Sequence, residues 1–168
     1  IKNLNLAYHP MYLGDSNSAK VIYEFVDYNC GYCQKFHQEL INVINDNSLK
    51  LVIIQMPILG NFSEELTKLA LASSLQGQFK VVHNYLYSTE RKSKMEDILA
   101  DLFLRGVDLD ILKNDLDSQE VSDFLSIHRS YADEFKFTGT PATIIGNQII
   151  PGFIDADKIN EILEKEFS

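Results

Sequence analysis

Between residues 21 and 56 two dense apolar runs flank one amphipathic stretch. VIYEFVD, residues 21–27, mixes β-branched and aromatic residues; it is too short and too apolar for a surface helix and predicts a buried strand. In QKFHQELINVINDN, residues 34–47, Phe36, Leu40, Val43 and Ile44 are spaced to line one side of a helix. LKLVIIQM, residues 49–56, predicts a second buried strand, closed by Pro57. Strand, helix and strand in that order predict a right-handed βαβ unit.

From Asn61 to about Phe137 the pattern becomes helical. Ser63 with Leu66, Leu69, Ala70 and Ala72 opens one helix, and residues 79–87 carry a second. Residues 95–104, 109–116 and 121–135 predict three more, with Gly77 and Gly106 as punctuation. ATIIGNQII, residues 142–150, then reads as two short strands about Gly146-Asn147, a hairpin signal. Asp155 predicts the N-cap of a last helix through Ile159, Ile162 and Leu163. The stretch before Lys20 is the least patterned and predicts an arm or an edge strand. No repeat, low-complexity tract or linker interrupts the chain.

Composition narrows the class. A chain of 168 residues is long enough to bury one core without cross-links, and its 45% hydrophobic and 23% charged content is that of a globular domain. A net charge of −9 disfavours nucleic acid or an anionic membrane as partner. No apolar run approaches the roughly 20 residues of a membrane span. A chain that opens on Ile1, without a charged-then-apolar leader, fits a processed exported protein. Arg91, Lys92 and Lys94 form the nearest thing to a basic cluster, read as a solvated loop.

Both cysteines, Cys30 and Cys33, fall in one four-residue window. A structural zinc site needs four ligands, and only His37 is near; no metal is expected, although two thiolates also suit Cu(I). A staple closing so short a loop yields only about 2 kcal/mol. A redox couple instead uses the short loop, since the second thiol can resolve a mixed disulfide as it forms. Cys30 falls where the first strand hands over to the helix, whose free N–H groups and dipole favour a thiolate. Cys30 is therefore the expected exposed nucleophile, with Cys33, deeper in the helix, resolving. His37, one helical turn after Cys33, is within reach of the site but reads rather as a surface imidazole, and His83 and His128 read as helix-surface or packing residues.

Three blocks, EFVDYNCGYC, the MPILG step and TGTPATIIGNQIIPGFID, together resemble the DsbA-like thiol–disulfide oxidoreductases of the thioredoxin superfamily, nearest the CGYC-containing, ScsC-type envelope branch. The resemblance implies an α/β protein, a thioredoxin fold with an inserted all-helical domain. Its first half would span 14–60, the insertion 61–137 and the second half 138–168, with 1–13 an arm or edge strand. It also implies that Pro141 is cis and faces the cysteines, with the Thr140 backbone free to pair with a substrate strand. Without the cysteines, Pro141 reads as a plain loop proline before a strand. Glu24 would be a buried acid relaying the Cys33 proton; the alternative for a single acid in a short strand is an edge position facing water.

The best-known oxidase of the family carries Pro-His between its cysteines and Val before its cis proline. Here the dipeptide is Gly31-Tyr32 and the preceding residue Thr140, a combination shared with the envelope disulfide isomerases. Without a loop histidine the protein is expected to be a milder oxidant, isomerase- or reductase-like. A DsbA-type oxidase, and a Cu(I)-binding or chaperone-like protein on the same fold, are the alternatives. No organic cofactor is implied; the Cys30–Cys33 pair is the redox centre. Implied too are exported protein substrates, a membrane or envelope redox partner, a periplasmic or envelope location, and oligomers formed through a segment before Ile1.

Overall fold

Five strands form one sheet in the order β1 (Tyr12–Gly14), β3 (Lys50–Gln55), β2 (Val21–Val26), β4 (Ala142–Ile145) and β5 (Gln148–Pro151), in a computed structural model that describes residues 11–168. Strands β2 and β3 pair in parallel, and every other neighbour pair is antiparallel. A parallel pair needs a crossover, which α1 (Gly31–Asn47) supplies. Between β3 and β4 the chain forms α2 (Asn61–Leu75), α3 (Phe79–Leu86), α4 (Met95–Leu104), α5 (Leu109–Asp115) and α6 (Gln119–Glu134); α7 (Ala156–Phe167) ends it.

The two central strands are apolar on both sides because both faces of the sheet are covered. Ile22, Val26, Leu51 and Ile53 pack with Phe36 and Leu40 of α1 and Ile159 of α7. Phe25, Val52, Ile54 and Ile144 face the other way, against Tyr131 and Ala132 of α6. Phe25 also meets the Phe137 ring edge-on at 4.7 Å between centroids, where the chain leaves α6 for β4.

Capping sets several of the helix starts. Asp108, Ser118 and Asp155 each accept a first-turn N–H, opening α5, α6 and α7. Ser118 starts α6 two residues before the apolar pattern does. The two-residue Gly146-Asn147 turn joins β4 to β5, and Glu166 from α7 accepts the Asn147 N–H at 2.8 Å. The expected N-terminal arm or edge strand lies partly on residues 1–10, outside the described residues; from Tyr12 the chain is an edge strand on β3.

Gly14 ends that strand at a φ of +81°, and a side chain there would run into the Leu49 carbonyl and the Ile44 side chain. The Asp15 N–H donates to the same carbonyl at 2.9 Å. Gly14→Ala therefore combines an unfavourable backbone conformation with a clash against backbone. It should lower unfolding free energy by about 2–4 kcal/mol, read as a lower urea midpoint.

Candidate active site

Cys30 is itself the N-cap of α1. Its backbone is extended, and its Sγ accepts the Cys33 N–H at 3.3 Å. A sulfur thus stands where a hydroxyl or carboxylate usually caps, so the act of starting the helix aims its free N–H groups at the thiol. No acidic side chain in the first turn of α1 opposes that field. On the other side the Cys30 thiol donates to the Thr140 carbonyl at 3.6 Å, and the Thr140–Pro141 bond that follows is cis.

Two expectations need correction here. Cys30 is only 9% exposed and Cys33 0%, so the order of access is as expected but Cys30 is nearly enclosed. The Thr140 backbone is not wholly free either: in the dithiol form its carbonyl is occupied by Cys30. Burial pushes the Cys33 thiol up, and its hydrogen bond with Cys30 adds to the rise. In the loop, Tyr32 projects outward at 67% exposure, and a side chain at Gly31 would meet nothing within 4 Å.

Asp27 holds the site's frame. Its Oδ1 accepts the Asn29 N–H at 2.8 Å, and its Oδ2 accepts those of Ile58 and Leu59 at 2.8 and 3.0 Å. One buried carboxylate thus ties the turn before Cys30 to the loop leaving β3. The sequence carried a signal for half of this, since an Asp two residues before a backbone N–H is an Asx turn.

Glu24 lies in the central strand, opposite Ile53 on β3 and Thr143 on β4, so it is not an edge residue. It is fully buried, and neither carboxyl oxygen has a hydrogen-bond partner among the described residues. Desolvation, reinforced by Cys30, raises its pKa to about 8.

Of the histidines, His37 departs from the expected surface position, while His83 and His128 take the packing side of theirs. His37 is buried, and His83 and His128 are fully so. Tyr28 Oη accepts from Gln55 Nε2 at 3.0 Å and lies 2.7 Å from His83 Nδ1, while His83 Nε2 lies 3.4 Å from His37 Nδ1. Burial lowers the His37 pKa to about 4 and that of His83 well below its ordinary value, so both rings are neutral at neutral pH. His128 Nδ1 accepts the Gln55 N–H at 2.9 Å. Arg91 also leaves the expected solvated loop: half-buried, it donates to the Tyr28 carbonyl at 2.7 Å. No periodicity or motif marks His83 or Arg91 for these contacts. Among the described residues no group of three or more His, Cys, Asp or Glu is arranged to hold a metal.

A raised carboxyl pKa has a definite sign in stability. Between the unfolded value near 4.5 and the folded value of about 8, folded Glu24 keeps a proton that the unfolded chain has released. Stability from this group is therefore fully present below pH 4.5 and is lost as pH rises towards 8. Glu24→Gln should stabilise the protein at pH 7 by about 2–3 kcal/mol and leave it nearly unchanged at pH 4.5. Urea unfolding of both proteins across this range checks it.

Known proteins agree with this geometry. A family model described as Thioredoxin matches residues 7–165. The chain is 24% identical over 169 residues to the probable disulfide bond formation protein D of Bacillus cereus, covering 92% of this chain and 77% of that one. The thioredoxin-like oxidoreductase of Silicibacter pomeroyi DSS-3 superposes with a TM-score of 0.87 at 26% identity, over 95% of this chain and 92% of its own. The catalytic domain of Proteus mirabilis ScsC superposes at 0.83 and 23% identity, over 97% and 91%. A family match along nearly the whole chain, on a fold that makes a cysteine the cap of its first helix, shows that the chain belongs to the thioredoxin family, as a DsbA-like thiol–disulfide oxidoreductase.

Proposed function

We propose that the chain exchanges disulfides with exported polypeptides in the cell envelope, acting chiefly as an isomerase or reductase through the Cys30–Cys33 dithiol. The observation that carries this is the paired geometry: an attacking sulfur at a helix N-terminus, with a fully buried second thiol one turn behind it. In the forward step the Cys30 thiolate attacks one sulfur of a substrate disulfide. A Cys30–substrate bond forms and the other substrate sulfur leaves as a thiolate. If that thiolate, or another in the substrate, attacks back on the substrate sulfur, Cys30 is released and the substrate is reshuffled. If instead Cys33 loses its proton and attacks Cys30 Sγ, the substrate leaves reduced and Cys30–Cys33 becomes the disulfide.

Glu24 is suited to take the Cys33 proton. Both groups are buried, and with its pKa raised to about 8 Glu24 is a carboxylate in a minor fraction of molecules near neutral pH; that form accepts the proton, and no other partner competes for it. With Pro141 the site has no N–H at that position to compete for the sulfurs, and Thr140 supplies the carbonyl that receives the Cys30 thiol. The Gly31-Tyr32 dipeptide supports the isomerase-like direction, because no imidazole there stabilises the reduced form. The redox partner is a membrane or envelope thiol protein, and shuffling is more effective when copies are joined through a segment before Ile1.

A second reading, net disulfide formation, is favoured by the name of the Bacillus cereus relative. Two assays on the same preparation separate them: refolding of scrambled ribonuclease, and oxidation of the reduced form. The proposal expects shuffling with slow net oxidation; rapid oxidation without shuffling would establish the second reading. In either case Cys33→Ser should accumulate Cys30–substrate mixed disulfides visible on non-reducing gels, and Cys30→Ser should form none. Equal trapping by both variants would refute the division of labour.

A further inference from the structure

The turn that delivers Cys30 is gripped from the helical insertion as well as from the sheet. Arg91 Nη1 donates to the Tyr28 carbonyl at 2.7 Å, and Tyr87 Oη donates to the Asp27 carbonyl at 3.2 Å. The Tyr28 hydroxyl meets His83 Nδ1 at 2.7 Å, and Gln34 Nε2 of α1 donates to the Tyr87 carbonyl at 2.9 Å. One stretch of the insertion, residues 83–91, therefore bonds to the two residues that open the nucleophile turn and to the helix that follows it.

Anchoring alone does not account for Arg91. A neutral donor would hold a carbonyl at lower desolvation cost, and half-burying a guanidinium is unfavourable unless something offsets its charge. Arg91 forms no direct ion pair among the described residues, and the buried Asp27 carboxylate favours its charge only from a distance. Yet the carbonyl it holds lies two residues before Cys30, a span of at most about 7 Å along the chain. Cys30 Sγ carries negative charge before every attack and regains it at every release. The helix N-terminus meets that charge from one side, and the Gly31-Tyr32 dipeptide adds no cation.

We propose that Arg91 is a positioning residue for Cys30, fixing the Tyr28 carbonyl and presenting a fixed positive charge towards the anion that forms on Cys30 Sγ. The inference rests on the thiol–disulfide reading above and assigns the helical insertion a part in the redox centre. Arg91 forms no bond and moves no proton in the exchange. It biases the step in which a Cys30–sulfur bond forms or breaks and charge arrives on or leaves Sγ. At an effective dielectric near 20, a unit charge is worth roughly tenfold or more in an equilibrium out to about 12 Å.

The test compares the unaltered chain with Arg91→Gln, which keeps a donor and removes the charge, and with Arg91→Lys, which keeps the charge and loses the fork. Three quantities are read: the rate of Cys30 alkylation by iodoacetamide at pH 7, the dithiol–disulfide equilibrium against glutathione, and the urea midpoint of the oxidised form. Arg91→Gln should slow alkylation about five- to tenfold and shift the equilibrium several-fold towards the disulfide, with the gap narrowing in 1 M salt. Arg91→Lys should recover most of both, and the urea midpoints should stay together. Arg91→Gln matching the unaltered chain in rate and equilibrium would overturn the inference; so would equal losses in both variants that follow the urea midpoint. An unaltered chain that fails to exchange with glutathione would instead overturn the thiol–disulfide reading itself.

Discussion

A sulfur atom caps the first helix of this protein, and the rest of the site is arranged around that substitution. An N-cap must be extended, must lie at the start of a helix and must offer an acceptor to a first-turn N–H. Cys30 meets all three conditions. The capping bond to the Cys33 N–H therefore orients the nucleophile, starts the crossover helix and places the second thiol one turn inward. Fold and chemistry share one hydrogen bond, so the active site cannot drift relative to the sheet without unwinding the helix it opens.

Holding the cap in place requires a rigid turn from β2 into α1, and the chain secures that turn with polar groups. Asp27 closes the turn through the Asn29 N–H and ties it to the loop after β3 through those of Ile58 and Leu59. Tyr28 joins a buried chain of Gln55, His83 and His37, in which burial keeps both imidazoles neutral. Such networks specify one geometry more sharply than apolar packing does, although Gln55 Oε1 in this one has no partner among the described residues. Contacts from the insertion thus complete a cradle that the thioredoxin-like core begins.

Glu24 stands apart from this economy. Its carboxyl is buried, within the electrostatic reach of Cys30, with no hydrogen-bond partner among the described residues, a state that costs stability as the pH rises. A structure selected for stability alone would place an apolar residue between Ile22 and Val26. The cost is intelligible if the carboxyl exchanges a proton with Cys33, since a base that must serve a buried thiol has to be buried with it.

Periodicity and spacing sufficed for the elements and their order, and the resemblance carried by the CGYC and TGTP blocks implied how they are assembled. The apolar runs at 21–27 and 49–56 could only be covered strands, the 3.6-residue pattern marked the helices, and Cys30 fell at a strand–helix junction because that is where the two patterns meet. These features are local, carried by residues adjacent in the chain or one turn apart, so the sequence states them directly. The side-chain partners were decided elsewhere. Whether His37 met water or His83, whether Arg91 was solvated or held the Tyr28 carbonyl, and how far Cys30 was enclosed all depended on contacts between residues 46 to 110 positions apart. No short window records which distant backbone group a side chain will face. That is settled only when the helical insertion packs against the sheet and removes water from the space between them.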